Sequence, residues 1–184
     1  MTDPARPRPT KAELAKAYGR KVPDVIGTDL RVLFCGINPG LYSGAVGHHF
    51  ARPGNRFWRA LHAGGFTAEV LSPFEEGELL RLKLGITNLV ERATARADEL
   101  TDDELVAGAR RLRRKASRYL PEVVVFLGLS AYRAAFGDPQ AVVGPQERTV
   151  GRSRTWLLPN PSGLNAHYQI ADLARVFAEL RASL

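Results

Sequence analysis

Arg31-Val32-Leu33-Phe34-Cys35, followed at once by Gly36-Ile37-Asn38-Pro39-Gly40, decides the reading of the fold. The first half is an apolar run of the kind that forms a strand covered on both faces. The second half ends it with glycine and proline, residues that turn the backbone sharply. The same pairing recurs near the C-terminus, where Thr155-Trp156-Leu157-Leu158 runs into Asn160-Pro161-Ser162-Gly163-Leu164. Ligands of open α/β sheets bind beyond the carboxyl ends of the strands. Both loops leave their strands in that direction, so they are expected to face one crevice.

Working outward, Val123-Val124-Val125-Phe126-Leu127 and Ile86-Thr87-Asn88-Leu89-Val90 read as two further strands, with helices between them. Thr10 and Glu13 make a capping box for a helix through Ala17, and Asn55 caps a helix that buries Phe57, Trp58 and Leu61 before Gly64-Gly65 stops it. Ser72-Pro73-Phe74-Glu75 opens another helix, closed by Gly85. Thr101-Asp102-Asp103-Glu104 opens the longest, with Leu105, Ala109, Leu112, Ala116 and Tyr119 at helical spacing. Ser130 caps a short helix through Phe136, residues 138–153 read as loop with a short strand, and a last helix begins near Tyr168. This alternation predicts a three-layer α/β/α sandwich with a mostly parallel central sheet of four or five strands. Residues 1–22 read as a basic arm and residues 23–184 as a single domain.

The 184 residues are 45% hydrophobic and 24% charged, enough for one domain with a sizeable core. No apolar run approaches the roughly 18–20 residues that span a bilayer, and the first nine residues lack the apolar stretch of a signal peptide. No membrane partner and a cytoplasmic location, nucleoid-associated in a bacterium, are therefore expected. Cys35 is the one cysteine, which excludes an intrachain disulfide and a Cys-ligated cluster; its place in a strand marks it as core. The net charge of +7 favours polyanionic partners. Arg110, Arg111, Arg113, Arg114, Lys115 and Arg118 lie largely opposite the apolar stripe of their helix, as a solvated face or as a nucleic-acid contact.

Three segments carry candidate chemistry. Gly36–Gly40 is either a strand-ending turn or a loop that brings backbone close to a ligand, with the Asn38 amide to hold water or a polar group. It has neither the lysine of a phosphate-binding loop nor the glycine spacing of a dinucleotide fingerprint. Asn160–Leu164 sets an apolar side chain at the tip of a polar loop; Leu164 either folds back on the surface or acts as a wedge in a base stack. Gly47–Trp58 combines His48, His49, Phe50, Arg52 and Arg56. Adjacent histidines with no further ligand cluster argue against a metal site, and Phe50 is either core or a platform for a flat ligand.

Taken in order, Gly36–Leu41, Gly47–Phe50, Pro53–Trp58, Thr87–Val90 and Asn160–Leu164 resemble the mismatch-specific uracil/thymine DNA glycosylases of the uracil-DNA glycosylase superfamily, from about residue 30 to the C-terminus. The resemblance implies a monomeric, monofunctional enzyme without cofactor or metal. Its expected partner is double-stranded DNA with uracil, and by extension thymine or ethenocytosine, opposite guanine. It also implies that the target nucleotide is flipped out of the stack. By resemblance Asn38 positions the attacking water, Gly36, Ile37, Pro39 and Gly40 offer backbone groups to the base, Phe50 stacks on it, and Ser43 affects tolerance of a methyl group. Asn160 stands where stricter uracil enzymes carry histidine, and Ser162, Gly163, Leu164 and Asn165 form the intercalating wedge.

Two departures accompany this. Asn165 and Ala166 lack the Ser-Arg pair of some relatives, and Asn88 stands at a variable position where others carry a charged residue. Glu91 is then either an auxiliary in water activation or a surface residue. The rival readings are a catalytically silent sensor of mismatched or damaged DNA and a nucleoside or nucleotide hydrolase.

Overall fold

The strands β1 (Val32–Gly36), β2 (Leu84–Asn88), β3 (Val123–Leu127), β4 (Gly144–Val150) and β5 (Ser153–Leu158) form one sheet in a computed structural model that describes residues 8–184. Their order is β2-β1-β3-β5-β4, with all pairs parallel except β4 with β5. Every residue of β1, β2 and β3 is buried, as their apolar runs require. Alternate side chains divide between two cores. Val32, Phe34, Val123 and Val125 pack with α3 (Phe57–Ala63) and α6 (Ile170–Ala182), and Leu33, Cys35, Val124 and Phe126 pack with α4 (Asp102–Tyr119) and α5 (Leu129–Phe136). Phe34 meets Phe57 edge-on at 5.5 Å and stacks on Phe177 at 6.0 Å. The expected α/β/α sandwich is therefore present, with five strands.

This topology places the crevice. From β1 the chain goes to β2 on one side, then crosses back through α4 to β3 on the other side of β1. The connections leaving β1 and β3 diverge, and the gap between their carboxyl ends is the switch point where such sheets bind ligands.

Several local expectations are corrected. Gly85 does not close the helix opened by Ser72; that segment is a 3-10 helix, Pro73–Leu82, closed by Lys83 at φ 58°, and Gly85 lies within β2. Gly85 is held there by crowding, since a Cβ would meet the Val25 carbonyl and a Leu30 methyl, each at 2.7 Å. β2 consequently starts two residues before the expected Ile86, and Leu89 and Val90 continue beyond it as loop. Gly128, not Ser130, precedes α5, the last helix begins at Ile170, and residues 138–153 contain a full antiparallel edge strand. Residues 1–7 of the expected arm lie outside the described residues. Beyond them, α1 (Lys11–Lys16) carries the Thr10/Glu13 capping box and packs on α2 (Leu41–Val46), Ala17 is fully buried, and Gly19 N–H donates to the Ala93 carbonyl. The stretch from Thr10 onward therefore joins the folded body.

Gly108 brings α4 against the chain that leaves β2, since a Cβ there would lie 2.4 Å from the Leu89 carbonyl oxygen. Gly108→Ala gains about 1 kcal/mol of helix propensity but overpacks a backbone contact, at about 1–3 kcal/mol. The expected outcome is a lower urea midpoint with an unchanged slope; a raised midpoint would show that α4 does not bear on Leu89.

Candidate active site at the strand ends

Backbone bonds hold the Gly36–Gly40 loop along its length. The carbonyls of Gly36, Ile37 and Pro39 accept from the N–H groups of Leu89 (2.8 Å), Val90 (2.9 Å) and Thr94 (3.1 Å). Against this rail Asn38 turns its amide group inward, and Nδ2 donates to the Arg92 carbonyl at 3.0 Å and to Thr94 Oγ1 at 2.7 Å. A carbonyl only accepts, so the amide orientation is fixed. Thr94 Oγ1 gives its own hydrogen to the Arg96 carbonyl at 2.7 Å and must accept from Asn38. Both amide hydrogens are thus committed, and Oδ1 is left as an oriented acceptor, the complement of a water O–H.

The Arg92 segment is clamped in turn. Its guanidinium bonds Glu104 through Nε at 2.5 Å and Nη2 at 2.9 Å, and Glu104 also completes the capping box of α4 with Thr101. The hydrogen bond from Arg92, followed by that from the Thr101 N–H, holds the Glu104 carboxyl down to about 2. The stabilising pair is therefore present above the ordinary glutamate range and is lost as pH falls from there towards 2.

Phe50 occupies the left-handed region at φ 51°, a conformation that costs about 1–3 kcal/mol for a non-glycine residue. Its neighbours impose it. Glu76 Oε2 accepts from His49 N–H at 2.8 Å, Glu76 Oε1 pairs with His48 Nδ1 at 2.9 Å, and Ser43 Oγ accepts from Ala51 N–H at 3.1 Å. The Phe50 ring stacks on Phe57 at 4.2 Å and 24°. Its tip converges on Gly36 together with Asn88: a Cβ at Gly36 would lie 2.6 Å from Asn88 Oδ1 and 3.3 Å from Phe50 Cζ. Any side chain at position 36 would collide with this aromatic edge and amide oxygen, so glycine is what lets both approach the strand end.

The second loop is built just as rigidly. Asn160 Oδ1 accepts from Ser162 N–H at 2.9 Å, and Asn165 Nδ2 donates to the Asn160 carbonyl at 3.0 Å. Arg56 reaches into the loop: its guanidinium donates to the carbonyls of Tyr168 and Ser162 and, at 2.7 Å, of Asn165, while its backbone N–H donates to the Pro161 carbonyl at 2.9 Å. Gly163 lies on Gly54, whose carbonyl oxygen a Cβ would meet at 2.8 Å. Held this way, Leu164 does not fold back; it is 71% exposed. Gly128, at the end of β3, ties the loops together, because a Cβ there would touch Ile37 Cδ1 at 2.8 Å and approach Asn160 Cβ at 3.8 Å.

Other expected positions lie elsewhere. The Glu91 carboxylate is engaged by Lys21 at 2.7 Å and Lys115 at 3.5 Å, and the Lys21 hydrogen bond first among these holds it below the usual range. Lys115 does not belong to an outward arginine face: it turns in to Asp24 (2.6 Å) and Thr87 Oγ1 (3.0 Å). Arg111 likewise turns to the Leu89 carbonyl at 3.3 Å, leaving Arg110, Arg113, Arg114 and Arg118 exposed. Cys35 is buried and its thiol is pushed up by burial. Asn55 accepts from Phe57 N–H at 2.9 Å, as a capping residue does, although the helix proper begins after Arg56.

An oriented amide acceptor, an aromatic ring at Gly36 and an exposed apolar finger are all carried by loops at the strand ends of a mostly parallel sheet, an arrangement suited to hydrolysis at a flat ligand. Residues 23–181 match the Uracil DNA glycosylase superfamily, and the chain belongs to it. It is accordingly a DNA glycosylase, a hydrolase that separates a base from its deoxyribose. The fold is similar to that of a candidate uracil DNA glycosylase from Methanosarcina acetivorans, whose solution NMR structure matches with a TM-score of 0.55 at 19% identity, covering 89% of this chain and 98% of that one.

Arg92, Thr94 and Arg56 had no signal in the sequence beyond their place in or next to a motif, since each works through carbonyl groups that only the fold brings near. Removing the Thr94 acceptor frees one Asn38 hydrogen, and a single hydrogen bond of about 0.5–1.5 kcal/mol sets the scale. Thr94→Val is expected to lower the single-turnover excision rate roughly 3- to 10-fold with DNA affinity unchanged; a wild-type rate would remove Thr94 from the site. Arg56→Ala is expected to raise hydrogen exchange across residues 160–168 while α6 stays protected; unchanged exchange in the loop would contradict the anchoring.

Proposed function

We propose that this glycosylase flips uracil out of G·U mispairs in duplex DNA and hydrolyses its N-glycosidic bond with water, initiating base excision repair. The orientation of Asn38 carries the reading: with both amide hydrogens committed, Oδ1 is free to hold one water for attack at C1′ of a nucleotide whose base stacks on Phe50. In the reaction the C1′–N1 bond breaks and its electron pair leaves with the base. The water oxygen bonds to C1′ and loses its proton to solvent, and the base anion takes a proton from solvent. Asn38 orients the water and cannot remove its proton, so the roughly 10²–10⁴-fold gain from a general base is absent. The Asn160 oxygen is occupied by Ser162 N–H, which leaves its amide nitrogen as a neutral donor for charge growing on the departing base. A slow enzyme that works on easily opened pairs follows from these two amides.

The remaining elements fit the same reading. Leu164, exposed on a braced loop, suits a wedge that fills the vacated stack. A wobble pair costs less to open than a matched one, which favours mismatches before any contact to the opposite guanine. Ser43, tied to Ala51 N–H behind Phe50, is a short side chain where bulk would limit a C5 methyl, so thymine opposite guanine and ethenocytosine fall within the proposed range. The reading needs neither metal nor cofactor and a single copy of the chain, acting in the cytoplasm.

A single-turnover panel under enzyme excess tests it, with G·U, A·U, single-stranded uracil, G·T and ethenocytosine opposite guanine. G·U is expected to be processed fastest. Tight G·U binding with no abasic product would instead show a silent sensor, and cleavage of free deoxyuridine a nucleoside hydrolase. Within the panel, Asn38→Ala is expected to retain G·U binding and lose about 100-fold or more in excision, the scale of a misplaced reactant. Leu164→Ala is expected to impair duplex excision more than single-strand excision; equal losses would argue against a wedge.

A further inference from the structure

Arg110, Arg113, Arg114 and Arg118 of α4 are exposed, and among the described residues no carboxylate pairs with any of them. Elsewhere on the surface such cations are matched: Arg175 with Glu179 on α6 at 2.7 Å, Arg81 with Glu78 at 3.2 Å in the 3-10 helix, and Lys83 with Asp29 at 2.7 Å. Positions 110, 114 and 118 follow one another four residues apart with 113 beside them, so like charges repel along one face and weaken the helix. The helix dipole offsets this only in the last turn, which holds Arg118. The Arg118 guanidinium lies over the Tyr119 ring at 5.3 Å, a contact that leaves its charge in place. A polyanion laid along the stripe removes the repulsion. We infer that the outer face of α4 is a second DNA-binding surface, which takes the phosphate backbone of a duplex segment other than the one held at the strand ends.

Chemistry and spacing favour phosphate. A guanidinium is a planar fork that donates two parallel hydrogen bonds to a phosphate group. At about 1.5 Å per residue, Arg110 to Arg118 spans about 12 Å, the length of three or four phosphates of one strand at about 3.4 Å each. The β4–β5 turn adds to the Arg118 end. Gly151 in that turn lies against α4, where a Cβ would meet Ser117 Oγ at 3.1 Å, and the exposed Arg152 follows it.

The run of α4 makes this DNA a second segment. The helix begins at the site end, where Glu104 grips Arg92, and ends at the far edge of the sheet, where Leu120 leads towards β3. Its first turn carries the exposed Asp102 and Asp103. A backbone that left the strand-end site and followed α4 would cross these carboxylates before it reached Arg110, about 12 Å further on. The acidic turn thus separates two cationic surfaces that would otherwise run together. With both surfaces on one copy, the protein keeps hold of one segment while it samples another, and contacts to phosphate make the second grip independent of sequence.

The test saturates the protein with a short duplex carrying 2′-fluorodeoxyuridine, which resists cleavage, opposite guanine, and then titrates a second, uracil-free duplex. Native mass spectrometry at low salt is expected to find one protein with one copy of each duplex. Affinity for the second duplex is expected to fall with salt at a log–log slope of about −3, since each neutralised phosphate contributes about −0.9. The combined variant Arg110→Gln, Arg113→Gln, Arg114→Gln and Arg118→Gln is expected to bind the second duplex roughly 10- to 100-fold more weakly, the scale of about three lost phosphate contacts. Its single-turnover excision of uracil from a short duplex under saturating enzyme, and its thermal melting, are expected to match the wild type. Saturation at one duplex per protein, a second duplex bound equally well by the variant, or a complex that holds both duplexes only with two protein copies would overturn the inference. Capture of a glutamate-rich peptide by a wild type that refuses the second duplex would overturn it as well and give the face to an acidic protein partner.

Discussion

Both amide hydrogens of Asn38 go to the chain segment that continues β2, one to the Arg92 carbonyl and one to the Thr94 hydroxyl. The site depends on this commitment. It converts a side chain with two donors and one acceptor into a single directed lone pair, and it does so through groups that are themselves fixed. Thr94 has spent its hydrogen on Arg96, and Arg92 is gripped by Glu104 at the start of α4. The same segment donates the backbone bonds that stiffen the Gly36–Gly40 loop. A water held there is aimed by the sheet and the first turn of a helix together, with little left for a flexible side chain to decide.

The two loops solve different problems with the same economy of means. Beside Gly36, Phe50 sits in a strained backbone conformation because Glu76, Ser43 and Phe57 hold it and its neighbours in place. Around the finger, a single guanidinium satisfies three carbonyls that would otherwise face water or one another. That allows an exposed leucine to be presented on a firm base. Rigidity in both places suits the proposed preference for pairs that open easily. In the proposed reaction neither Asn38 nor Asn160 supplies a proton or removes one, so position and selectivity carry more of the work than acid–base chemistry.

Much of this was legible in the chain because the elements involved are local. The runs at Val32–Cys35 and Val123–Leu127 are strands since β-branched and apolar residues with Gly/Pro stops admit little else, and the capping boxes at Thr10, Ser72 and Thr101 are all formed. Where the reading slipped, tertiary packing had overruled a local signal. Gly85 looks like a helix stop and is instead the one residue thin enough to pass Leu30 and the Val25 carbonyl. Lys115 and Arg111 look like members of a solvated face, and the end of β2 draws them inward. Arg56 and Thr94 were hardest to read, because each acts on backbone or amide groups 56 to 112 positions away. A spacing rule within one helix or strand cannot report such contacts.

The most direct measurement is a crystal structure of the protein on duplex DNA with 2′-fluorodeoxyuridine opposite guanine. The account predicts an extrahelical uracil against Phe50, one ordered water on Asn38 Oδ1 in line with C1′, and Leu164 within the base stack. A uracil that remains stacked in the duplex, or one seated away from Gly36 with no water on Asn38, would contradict it.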